Sequence, residues 1–281
     1  MITHNIAGSG GVRLHVVETG NPDGQPILFI HGISQSWLTW RCQLRSELQE
    51  EFRLVAMDLR GHGMSDKPAD DSYMDSRVWA DDIHAVIREL DLHRPILSGW
   101  SYGPLIMLDY VRHYGEDSIG GMNFVGGVTK LGSEDAMLAL TPEFLALVPG
   151  FFSTDLQESA RAMSALIHLC FTKEPVERDF YMMLGYNLSA PPHVRRAMLS
   201  RSIDNDDLLQ ELRKPLLITQ GAKDKIVRIR AAEEIKAAVK HATLVLMEGV
   251  GHAAFREEPE KFNARLRELA LGTMASAASA D

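Results

Sequence analysis

The pentapeptide Gly99-Trp100-Ser101-Tyr102-Gly103 is the stretch of this chain best suited to chemistry. It follows the apolar residues Ile96 and Leu97 and precedes an apolar run at 105–111 that suits a helix, so Ser101 is expected at a sharp strand-to-helix turn. Such a turn strains the backbone of its central residue and crowds the flanking side chains, which glycines two before and two after relieve. Pro104 is compatible with it, because amides in a first helical turn lack intrahelical partners. A serine hydroxyl is barely nucleophilic at neutral pH, so a neutral imidazole must remove its proton during attack.

Candidates for that imidazole and for a carboxylate behind it stand further along the chain. Gln220-Gly221-Ala222-Lys223-Asp224 follows an apolar run at 216–219, and Gly249-Val250-Gly251-His252 follows a second at 243–247. Each reads as a strand ending in a loop, in the order serine, aspartate, histidine. His252 is the expected general base. Asp224 is the expected acid that fixes its tautomer and stabilises the imidazolium, without itself taking the proton. His31-Gly32-Ile33, directly after the apolar run 27–30, offers the Ile33 amide as an oxyanion donor, with the Tyr102 amide as the second. One pre-positioned donor of this kind is worth about 3 kcal/mol in the transition state.

Positioning these groups requires parallel strands whose C-terminal ends share an edge. Strands are expected at 12–17, 27–30, 54–57, 96–97, 119–128, 216–219 and 243–247, several of them short continuous apolar runs that suit burial on both faces. Helices are expected between them at 73–90, where Trp79, Ile83, Val86, Ile87 and Leu90 share one face, and at 231–239 and 259–271. This alternation implies an α/β core over 1–129 and 213–272. Residues 130–212 break the rhythm, being helix-like, rich in Met, Leu and Phe and punctuated by prolines, and read as an inserted helical cap. Residues 273–281 are small and polar and read as a flexible tail.

A chain of 281 residues suffices for one large core. Its net charge of −9 leaves no basic surplus for nucleic acid or an anionic membrane, so a neutral small molecule is the expected partner. The widely separated Cys42 and Cys170 read as free thiols, and the first eleven residues lack a signal-peptide pattern, which together suggest a cytoplasmic protein. No run is apolar enough to span a bilayer. The eleven histidines show no ligand spacing for a metal, and Gly61-His62-Gly63 lacks the third glycine of a dinucleotide turn. No cofactor or metal is expected.

Taken together, His31-Gly32, the stretch Asp58 to Ser65, the turn around Ser101, Gly221 to Asp224 and Gly251-His252 resemble the α/β-hydrolase superfamily over nearly the whole chain. The resemblance implies an eight-stranded, mostly parallel sheet with a cap after the sixth strand, and a cofactor-free esterase or related hydrolase. Asp58 to Pro68 is similar to epoxide hydrolases and haloalkane dehalogenases, which carry an aspartate nucleophile where this chain has Ser101. Similarity also extends to the perhydrolase group and, more distantly, to carbon-carbon bond hydrolases, whose elbows often hold a glycine where Pro104 stands. A ligand-binding receptor on the same fold is a further alternative. For an ester substrate of small to medium size, Trp37, Trp100, Phe144, Phe152 and Met183 are the expected apolar contacts.

Overall fold

A computed structural model of the chain describes residues 1–278. Eight strands form one sheet: β1 (Ile2–Ala7), β2 (Arg13–Gly20), β3 (Gln25–Ile30), β4 (Phe52–Met57), β5 (Ile96–Trp100), β6 (Gly121–Val125), β7 (Leu216–Gly221) and β8 (Thr243–Met247). Their spatial order is β1-β2-β4-β3-β5-β6-β7-β8, with β1 and β2 antiparallel to their neighbours and β3 through β8 parallel. Every residue of β5 and β6 is buried, as helices on both faces demand, which is why these strands read as unbroken apolar runs. β1, at the edge, is mostly exposed and keeps only Ile6 inward, so its sequence lacks the alternation that would have marked it as a strand.

The sheet order reverses direction at β3, which lies between β4 and β5. Ile27 pairs with Ile96 and Ile30 with Gly99, so the loops after β3 and β5 leave the sheet side by side. Crevices at such a reversal are where open parallel sheets bind ligands. Gly99 pairs with Phe124, Val125 with Thr219, and Gly221 with Met247, so β5 through β8 end along the same edge.

Seven helical segments lie between β6 and β7, from Glu134–Leu138 to Asp206–Glu211. Two refinements concern helix ends. The expected helix at 73–90 divides into a tight turn, Asp71–Met74, and a helix, Ser76–Glu89, because the Asp75 carboxylate accepts the Arg77 amide at 2.8 Å and restarts the chain as an N-cap. The last helix runs Pro259–Ala278, so the expected tail is helical over 273–278, its alanines being strong helix formers. Residues 279–281 lie outside the described residues. Among the described residues, no helix is long and apolar enough to cross a membrane.

Buried charge pairs tie the outer helices to the loops. Arg60, just after β4, donates from Nε and Nη2 to both carboxylate oxygens of Asp82 at 2.6 and 2.8 Å, and Asp82 also accepts the Ser9 amide at 2.9 Å. Burial pushes the Asp82 carboxyl upward, against the pull of Arg60. Arg201 donates from Nη2 to both carboxylate oxygens of Asp109 at 2.9 and 2.8 Å, linking the inserted helices to the helix Gly103–Tyr114. Removing one member strands the other charge in the interior. Asp82→Ala is therefore expected to lower unfolding free energy by about 3–5 kcal/mol, whereas Glu89→Ala, which breaks the exposed pair with Arg88, should cost under about 1 kcal/mol in urea titrations.

Candidate active site

β5 runs into the helix Gly103–Tyr114 with Ser101 between them at φ +60°, a left-handed conformation that a serine adopts only under constraint. The constraint is lack of space. A Cβ on Gly99 would lie 2.3 Å from Met107 Sδ and 2.9 Å from the Gly103 carbonyl carbon, and one on Gly103 would lie 2.8 Å from the Ile30 oxygen. The turn is pinned to the next strand by the Ser101 amide, which donates to the Val125 oxygen at 2.9 Å, and by the Val128 amide, which donates to the Ser101 oxygen.

The loops after β7 and β8 are joined to each other before either reaches the serine. Ala222 N donates to the Met247 oxygen at 3.0 Å and Lys223 N to the Val250 oxygen at 2.8 Å. This brings Asp224 Oδ2 to 2.7 Å from His252 Nδ1, with both side chains almost fully buried. Nδ1 carries the hydrogen when it faces a carboxylate, which leaves Nε2 as the acceptor nitrogen. The Asp224 carboxylate is held in turn: Oδ1 accepts the Ile226 and Val227 amides at 2.7 and 2.9 Å, and Oδ2 accepts from Gln220 Nε2 at 2.9 Å.

His252 is fixed on both sides as well. Trp100, the residue before the serine, donates from Nε1 to the His252 oxygen at 2.9 Å. Glu257 Oε1 accepts the Gly251 amide at 2.7 Å, while Oε2 accepts the amide and the hydroxyl of Thr172. The Ala253 amide donates to the Cys170 oxygen at 3.0 Å. Glu257 and Gln220 are positioning residues that sequence reasoning missed, because nothing local in their neighbourhoods marks which remote amides they serve.

The loop after β3 closes the fourth side. A Cβ on Gly32 would sit 2.9 Å from Ser101 Cβ, so only glycine lets this backbone pass. Among the described residues, neither the Ile33 amide nor the Tyr102 amide has a hydrogen-bond partner. Two buried histidines shape the loop. His31 Nδ1 donates to the Gly32 oxygen at 2.7 Å and its Nε2 accepts the Leu59 amide at 3.0 Å; His62 Nδ1 donates to the Arg60 oxygen and its Nε2 accepts the Ser34 amide. Burial holds both imidazoles below their ordinary pKa, His62 well below. Asp58, also fully buried, accepts the Trp37 and Met64 amides at 2.8 and 2.9 Å. The stretch Asp58 to Ser65 thus braces the loop after β3.

Ser101 and His252 line one cavity, together with Gly32, Ile33, Gln35, Trp100, Phe144, Leu166, Cys170 and Ile226. Its volume is about 10 Å³, room for one water at most. Among the described residues, no hydrogen bond joins Ser101 to His252, as is common before substrate tightens such a contact. Of the expected apolar contacts, Trp100 and Phe144 line the cavity. Trp37, Phe152 and Met183 do not: Trp37 is anchored to Asp58, Phe152 lies beneath the Arg196 guanidinium, and Met183 packs with Ile167 and Tyr186. Among the described residues, no group of three His, Cys, Asp or Glu side chains could hold a metal. A larger cleft of about 280 Å³, bordered by Lys130 and Glu234, includes none of the site candidates.

Residues 25–259 match the family described as alpha/beta hydrolase fold. The chain is similar over 96% of its length to the crystal structure of esterase RhEst1 from Rhodococcus sp. ECU1013, with 31% identity, 98% of that chain covered and a TM-score of 0.91. It is similar to a structure from Burkholderia cenocepacia provisionally assigned as an aryl esterase, with 34% identity over 98% of this chain and 100% of that one, at a TM-score of 0.91. In sequence it is 28% identical to epoxide hydrolase 1 of Caenorhabditis elegans, covering 92% of this chain and 68% of the relative.

The two bracing histidines make stability depend on pH. Their folded pKa values lie below the unfolded value of about 6.5. Below that pH the unfolded chain takes up protons that the native rings refuse, so their contribution is present above 6.5 and is lost as pH falls. The melting temperature is expected to drop from pH 7 to pH 5, and His62→Gln should flatten that slope. An unchanged slope in the variant would remove His62 from the account.

Proposed function

This chain belongs to the α/β-hydrolase family, and from that premise we propose that it is a serine hydrolase cleaving small to medium hydrophobic esters through an acyl-enzyme. The observation that carries the reading is the 2.7 Å contact between Asp224 and His252 Nδ1, which leaves the other ring nitrogen free in the cavity that Ser101 also lines. Ser101 Oγ attacks the ester carbonyl while His252 Nε2 takes its proton. The negative charge that develops on the carbonyl oxygen is received by the Ile33 and Tyr102 amides, which have no other acceptor among the described residues. Collapse of the intermediate expels the alcohol, which receives the proton from His252. Water then repeats the sequence on the acyl-serine and regenerates the enzyme.

Likeness to an epoxide hydrolase raises the question of a carboxylate nucleophile. Two features argue for serine instead. The elbow position holds Ser101, and Asp58, in the stretch most similar to those enzymes, is enclosed and committed to two amides. The esterase similarities support the ester reading, and the mechanism draws on no cofactor.

The narrowness of the cavity adds a requirement. An ester cannot fit in about 10 Å³, so the inserted helices that carry Phe144, Leu166 and Cys170 act as a cap that withdraws when substrate binds.

A fluorophosphonate is expected to label Ser101, and Ser101→Ala to abolish labelling. With 4-nitrophenyl butyrate, Ser101→Ala and His252→Ala should each lower kcat by a factor on the order of 10⁴ or more, and Asp224→Asn should leave a folded enzyme slowed to a similar degree. Folded protein that takes no label and hydrolyses no ester would point to a ligand-binding receptor.

A further inference from the structure

Three arginines are buried among the described residues: Arg60, Arg195 and Arg201, each at most 2% exposed. Arg60 and Arg201 each grip a carboxylate with two hydrogen bonds. Arg195 has none. It donates once, from Nη2 to the Ser159 hydroxyl at 2.8 Å, and its Nε and Nη1 have no partner. Burial alone lowers its pKa, to about 10, with no neighbouring carboxylate to offset the shift, so it remains charged at neutral pH. A buried guanidinium left without a counter-charge is costly, which makes the missing partner an anion.

Its surroundings locate that partner. Val194 presses on Gly61, where a Cβ would lie 2.5 Å from Val194 Cγ1, setting the helix Pro192–Leu199 against the turn that carries His62. The Arg195 charge is among the influences that lower the His62 pKa, after burial. His62 cannot serve as acceptor, since both ring nitrogens are engaged. The Ser34 amide sits on His62 Nε2, and the Ser34 hydroxyl, also buried, has no partner. The turn that bears His62 thus meets both the loop that carries Ser34 and the helix that carries Arg195.

The loop that carries Ser34 borders the catalytic cavity. Ser34 follows Ile33, which lines the cavity, and stands two residues after Gly32, which lies against Ser101. Ser159 shares the buried face of the helix Leu156–Cys170 with the cavity residue Leu166, seven residues and about 10 Å along the axis.

We propose that Arg195 and Ser34 form a carboxylate-binding subsite at the far end of the acyl pocket, so that preferred substrates are monoesters of short dicarboxylic acids. The side is the acyl one because the loop that carries Ser34 also carries the Ile33 amide, and the acyl group stays beside that amide through both half-reactions. This rests on the serine-hydrolase reading and narrows its substrate class to an apolar chain ending in a carboxylate. It also gives the orphaned donors an acceptor that arrives only with the ligand.

The test separates the subsite from the chemistry. In Ser101→Ala protein, which cannot turn over, glutarate should raise the melting temperature more than valerate does. Adding Arg195→Gln should cancel the difference. In the wild-type enzyme, kcat/KM for 4-nitrophenyl hemiglutarate should exceed that for 4-nitrophenyl valerate, and Arg195→Gln should reduce this ratio about tenfold or more, mainly through KM. Arg195→Lys should restore part of it. Should Arg195→Gln fail to fold, Ser34→Ala is expected to lower the same ratio by a smaller factor. Equal losses on both esters, or equal shifts with both acids, would mean that the arginine is merely structural and hydrated by a trapped water. If neither ester is cleaved but glutarate still shifts the melting temperature through Arg195, the hydrolase reading fails and the anion site stands.

Discussion

β5 and the helix Gly103–Tyr114 approach so closely that no side chain larger than hydrogen fits at Gly99 or Gly103, and the backbone at Ser101 is driven to φ +60°. That strain is maintained by what surrounds it: a fully buried strand on one side, and on the other a helix buried along most of its length. It exposes the serine at the sheet edge instead of letting it join the strand or the helix. The Ser101 amide is anchored to Val125, and the neighbouring Gly126 lies against the His252 ring, where a Cβ would be 3.0 Å from Nδ1. Serine and histidine are therefore held in common by the end of β6.

Around this turn the polar groups are committed in a hierarchy. Asp224 holds His252, and Gln220 with two amides holds Asp224. Glu257 fastens the loop that bears His252 to Thr172 at the end of a long inserted helix. Across the crevice, neutral His31 and His62 and the carboxylate of Asp58 do the same for the loop after β3. Each group has its hydrogen-bond demands met by named partners, as a buried polar network must if it is to make a site rigid. Arg195 and Ser34 depart from that pattern, which is why they point to a ligand.

The narrowness of the cavity follows from the same arrangement. Phe144, Leu166 and Cys170 come from the inserted helices to wall the cavity that Ser101 lines, while Ser101 itself stays partly exposed. The same helices are tied to the loop of His252, since Glu257 joins Thr172 to the Gly251 amide and the Cys170 oxygen accepts the Ala253 amide.

Much of this was legible in the sequence where local constraints dominate. Glycines around Ser101 report crowding at a turn, and unbroken apolar runs ending in glycine loops report buried parallel strands, so the α/β core and the convergence of Ser101, Asp224 and His252 could be anticipated from adjacent residues alone. β1 was missed because an exposed edge strand has little pattern to show, and helical continuation past residue 272 because small residues suit a helix as well as a tail. Tertiary structure alone decided that Trp37, Phe152 and Met183 pack elsewhere while Gln35, Leu166, Cys170 and Ile226 line the cavity. It alone decided that Asp58 and His62 brace a loop, and that one buried arginine lacks a carboxylate. The physical reason is that strain and apolar periodicity are properties of contiguous chain. Whether a polar side chain is satisfied depends on partners that folding brings from dozens or hundreds of residues away.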